Sequence, residues 1–108
     1  MEKVDTTTLT EIIDQCFDLS MDERFTDVQQ KKFLAEGKRL RGLLLNLLTA
    51  QFDKGTQTVI DANNQLDAVN TALSDSVAVL ANAADTLNQV ATLVGNLDKL
   101  LNVATNFI

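Results

Sequence analysis

Three features of the sequence predict an all-α protein. The 108 residues contain no proline and only four glycines, so little in the chain stops a helix. Apolar residues recur at steps of three and four from Leu9 onward. From residue 59 that spacing settles into a seven-residue repeat sustained to the end of the sequence. The expected architecture is a short N-terminal helix followed by a long helical hairpin with coiled-coil or helical-bundle packing. A single domain, 1–108, then holds a helix at about 8–19, a second at about 21–53 and a heptad-repeat helix at about 57–106.

For the first helix, Thr8 is the expected N-cap, with Glu11 three residues later in the capping-box position. Leu9, Ile12, Ile13, Cys16, Phe17 and Leu19 form its apolar stripe. Ser20 and Glu23 repeat the box and are expected to open the second helix, where Asp22 and Glu23 suit the positive end of the dipole. That helix begins with a stripe (Phe25, Val28, Phe33, Leu34) and becomes apolar nearly all round by Leu43–Leu48, which calls for several neighbours. Asp53-Lys54-Gly55-Thr56 offers a C′ glycine and a following cap, and is the expected break.

In the third segment Val59, Leu66, Leu73, Leu80, Leu87, Val94 and Leu101 fall seven apart. A second column follows three residues after each: Ala62, Val69, Ser76, Ala83, Val90 and Leu97. Unbroken, roughly 50 residues at about 1.5 Å each give a rod of about 75 Å. Gly95-Asn96 is a weak point through which the heptad continues. Phe52, Leu48 and Leu45 extend the register backward, so one continuous rod is the alternative to a hairpin. After residue 72 the flanks of the seam turn apolar, with Leu93 and Leu100 on one side and Ala84 and Ala91 on the other. Such a wide face needs two or more neighbours.

Charge is banded. Residues 1–27 carry two basic and eight acidic side chains; residues 28–45 carry Lys31, Lys32, Lys38, Arg39 and Arg41 against Glu36; residues 46–108 carry two basic and six acidic. A net charge of −6 argues against nucleic acid as a partner. The bands favour antiparallel packing, with the basic stripe against acidic zones.

The chemistry of sites is sparse. Without histidine the usual general base and metal ligand are absent, and one cysteine makes neither an intrachain disulfide nor a thiolate zinc site. Glu11, Asp14 and Asp18 share a helical face but lack calcium-loop spacing, and are expected to be solvated or to meet the basic stripe. Cys16 sits within the first apolar stripe and is expected to be buried and inert. Gly37-Lys38 fails the phosphate-loop pattern twice, at Lys32 and Arg39.

The N-terminus lacks the basic start and apolar run of a secretory signal, and no uncharged stretch approaches the roughly 20 residues that span a bilayer. These readings give a cytoplasmic, non-enzymatic, cofactor-free interaction protein. It is expected to self-associate as an antiparallel homo-oligomer through the leucine seam, or to bind another helical protein. The alternative is a membrane-surface or pore-forming helical protein using the basic, leucine-rich segment 31–52.

Overall fold

The computed structural model describes residues 3–50, 52, 57–78 and 80–102, leaving aside the side chains of 77, 78 and 80. The fold is all-α. Helix α1 spans Thr6–Ser20, α2 Asp27–Leu47, α3 Gln57–Ala78 and α4 Ala83–Leu101, with a 3-10 turn at Leu80–Asn82 between the last two.

Helix α1 starts earlier than the Thr8 cap predicts. Asp5 is the N-cap: its carboxylate accepts from the Thr8 amide at 3.1 Å and from the Thr8 hydroxyl at 2.7 Å. Aspartate takes both donors that Thr8 presents, which makes Thr8 a helical residue. The Asp5 amide in turn donates to Asn63 Oδ1 at 2.7 Å, tying the start of α1 to α3.

Ser20 is likewise not a cap. It is the last residue of α1, and its hydroxyl donates to the Phe17 carbonyl at 2.6 Å. Asp22 then organises the connection by accepting from the amide and guanidinium of Arg24, bonds that hold its carboxyl down to about 2. The capping box belongs to Thr26 and Gln29, so α2 begins at Asp27.

The second helix also ends sooner than residue 53, which lies outside the described residues. Phe52 comes five whole turns after Leu34, so a continued helix would point it outward beside that 38 % exposed leucine. Leaving the helix after Leu47 instead buries Ala50 and Phe52, at 0 % and 1 % exposure. Burying a phenylalanine contributes about 1.5–3 kcal/mol, enough to outweigh a last helical turn.

The largest correction concerns the rod. The expected helix at 57–106 is two antiparallel helices, α3 and α4, folded back at the 3-10 turn. Residues 103–106 lie outside the described residues. Antiparallel pairing follows from two bonds: Ser76 meets Thr86 at 2.6 Å near the turn, and Asn96 reaches Gln65 at 3.0 Å further along. No proline or glycine forces the fold-back. Tertiary packing does: the apolar face beyond residue 72 needs several neighbours, and the hairpin supplies them within one chain. The molecule measures 43 × 21 × 19 Å, too short for a 75 Å rod.

In cross-section α1 packs on α2 and α3, and α4 packs on α2 and α3. Among the described residues, α1 does not contact α4, nor α2 α3, so these pairs sit on the diagonals. The hairpin is therefore α3–α4, not the second helix with the third.

The seam closes inside this bundle. Val59, Ala62, Leu66, Val69, Leu73 and Ser76 are buried along α3, in the heptad spacing. In α4 the spacing changes: Ala83, Leu87, Val90 and Leu97 are buried as expected, but Leu93 and Leu100 replace Val94 and Leu101, which are only half-buried. A short straight helix follows its own 3.6-residue period, not the 3.5 of a long supercoil. Helix α4 runs through Gly95-Asn96 without a break.

Candidate docking surface

The α1–α2 pair is drawn together at Gly37. A Cβ there would stand 2.9 Å from Phe17 Cε1 and 3.3 Å from Cys16 Cβ, so only glycine permits this approach. Cys16 is fully buried beside it. Burial, with a contribution from the Glu36 carboxylate, pushes its thiol up to about 12. That makes it an inert thiol rather than a nucleophile.

Among the described residues Glu36 is the buried carboxylate, 8 % exposed. Its Oε1 accepts from Arg39 at 2.7 Å, while Oε2 has no hydrogen-bond partner. It lies in a groove of about 520 Å³ between α2 and α4, with Lys32 and Arg39 at the rim and Ala35, Ala84 and Ala91 on the walls. A second depression of about 380 Å³ lies between α3 and α4, lined by Asp61, Gln65, Asn96 and Lys99. Neither gathers the groups of a reaction centre: among the described residues no three His, Cys, Asp or Glu side chains converge on a metal-sized site.

The three carboxylates of α1 separate by role. Glu11 turns toward α3 and accepts from Asn70 Nδ2 at 3.1 Å, beside the bond Gln15 makes to Asn70 Oδ1. Asp14 and Asp18 are exposed on the outside of the bundle.

The basic stripe does not pair with those acids. Among the described residues Arg39 makes the only salt bridge of the five, to Glu36 in its own helix. Lys31, Lys38 and Arg41 lie on the outer face of α2, the face turned away from α4, together with Leu34, Leu45 and Leu48. Leu45 is 68 % and Leu48 49 % exposed. Periodicity alone does not distinguish these leucines from core, since every position of 43–48 except Asn46 is leucine. Buried Phe33, Leu40 and Leu47, with Gly37 set against α1, mark the inward side of α2.

The candidate surface is thus the outside of the α1–α2 layer, with Met21, Asp14 and Asp18 on one helix and cations interleaved with leucines on the other. Among the described side chains no seam residue contributes to it; that of Leu80 lies outside those described. Among the described residues no helix is long and apolar enough to cross a membrane. The fold is a small four-helix bundle, and the outside of its α1–α2 layer exposes leucines among cations. Comparison with protein families, curated proteins and solved structures finds no match to the chain.

Proposed function

We propose that this chain is a non-enzymatic protein-interaction module, acting in the cytoplasm and docking through the outer face of α2. The observation that carries the reading is Leu45 and Leu48, about half to two-thirds exposed, set among Lys31, Lys38 and Arg41, which make no ion pair among the described residues. Exposed leucines ringed by charge are the surface of a binding site rather than of an inert face. Lack of histidine and a thiol held protonated support a role without catalysis.

A second reading uses the same face on an anionic membrane surface, because cations beside exposed leucines suit lipid headgroups and acyl boundary together. The test compares the native chain with Leu45→Ser/Leu48→Ser. Self-association is read by light scattering, and lipid binding by flotation with phosphatidylserine-containing vesicles. Binding in either assay that the double substitution removes, with helicity retained, is the expected result. A native chain that is monomeric and does not float makes the α2 face plain solvent surface, and the reading fails.

A further inference from the structure

Resting on that reading of α2, we infer that its partner is a second copy of this chain, related by a two-fold axis parallel to the helices. Each α2 then lies across the other copy's α1. The argument is one of charge and register. In the α1–α2 layer the acidic and basic helices run antiparallel side by side, and both turn charged residues to the same outer face. A two-fold along the helices sets acid over base twice. A two-fold across them sets Asp14 and Asp18 over their own copies and the stripe over itself, which like charges oppose.

Register follows from the Gly37 crossing. With Gly37 opposite Cys16 and Phe17, antiparallel counting puts Asp14 level with Arg39–Leu40 and Asp18 level with Ala35–Glu36. The axis preserves those levels. The second copy's Asp14 therefore falls between Lys38 and Arg41, its Asp18 falls between Lys38 and Leu34, and its Met21, 71 % exposed, reaches Lys31 and Leu34. Thr7 falls between Leu45 and Leu48, where a threonine methyl can cover leucine. Neither charge set has a partner of its own: Lys31, Lys38 and Arg41 make no salt bridge among the described residues, and neither do Asp14 and Asp18.

The face is small. Helix α1 is about 22 Å long and α2 about 31 Å, so a layer about 20 Å across buries on the order of 450 Å² per copy over the length of α1, the size of a weak, reversible contact. The association should therefore be a micromolar one in which charge selects orientation and exposed leucine supplies affinity. It differs from the seam dimer the heptads suggest, because the seam is already closed within each copy.

Charge reversal tests the pairing by light scattering at about 100 μM, above a micromolar Kd. The native chain should run at twice its 11.8 kDa mass. Lys38→Glu/Arg41→Glu and Asp14→Lys/Asp18→Lys should each be monomeric alone, because each turns both contacts repulsive. Mixing the two should restore a one-to-one dimer, since both contacts become complementary again. All four substitutions in one chain should do the same. Circular dichroism on each variant checks the fold; the sites are exposed, and the mixture restores association only if both partners are folded. A native monomer that floats on phosphatidylserine vesicles overturns the second copy and leaves the α2 reading standing. A dimer that survives both reversals and Leu45→Ser/Leu48→Ser overturns both.

Discussion

The fold-back at residues 80–82 is held by a pair of buried hydroxyls, and their energetics can be worked out atom by atom. Ser76 is 0 % and Thr86 2 % exposed. The Ser76 hydroxyl donates to the Ala72 carbonyl at 3.1 Å, which commits its single proton. The 2.6 Å contact to Thr86 therefore has Thr86 as donor and Ser76 as acceptor. Ser76→Ala strands a buried O–H donor and should cost about 1–3 kcal/mol. Thr86→Val removes the donor, keeps the β-branched shape, and leaves Ser76 bonded to Ala72; it should cost about 0.5–1.5 kcal/mol. Removing both leaves no polar group unsatisfied, so the double substitution should cost less than the sum by about 1 kcal/mol or more. Urea unfolding followed by far-UV circular dichroism, at matched slope, reads the cycle. In an unbroken helix residues 76 and 86 stand about 15 Å apart and cannot couple. Strict additivity of the two single changes would refute the reasoning.

Other expectations follow from single residues. Gly42→Ala and Gly95→Ala should each raise stability by about 1 kcal/mol, because an added methyl meets nothing within 4 Å and helix propensity improves; Gly37→Val, driven into Phe17 and Cys16, should lower the urea midpoint sharply. Glu36→Met should leave stability unchanged or raise it by about 1–4 kcal/mol, since it removes a buried carboxylate whose Oε2 lacks a partner and frees an Arg39 side chain that is 64 % exposed. A clear loss of stability would show that Oε2 is bonded after all. Bonds from Thr8 hold the Asp5 carboxyl below the ordinary aspartate value of 3.8. The unfolded chain therefore takes up this proton first, so the contribution of Asp5 is complete above that value and is lost as pH falls through and below it. Asp5→Ala should cost about 1 kcal/mol at neutral pH and flatten that part of the acid limb in a pH series of thermal melts.

What the sequence revealed depended on the range of the interaction responsible. The helical class, the apolar face of α1 and the buried thiol were legible because a stripe at steps of three and four is a local property. The heptad correctly marked the inward residues of α3. It misread the connectivity, because a hairpin and a rod need the same repeat, and no proline or glycine marks the turn at Leu80–Asn82. Caps failed where two candidates competed: Asp5 over Thr8, and Thr26–Gln29 over Ser20–Glu23. Phe52 ended α2 for a reason visible only once the core was placed. The basic stripe was plain from residues 31–41, yet it is a tertiary fact that among the described residues only Arg39 of the five finds an acidic partner, Glu36 in its own helix. So is the sorting of Leu45 and Leu48 to the outside.

The claim on which the rest depends is that the seam closes within one chain, which leaves the leucines of the α1–α2 face exposed. Nitroxides at Asp61→Cys and Lys99→Cys, diluted with unlabelled protein, read the intrachain distance by double electron–electron resonance; native Cys16, buried and protonated, stays unlabelled. Both sites line the same depression between α3 and α4, so the hairpin predicts a separation below about 25 Å. A continuous helix separates them by 38 residues at about 1.5 Å each, and a distance near 57 Å would contradict the account.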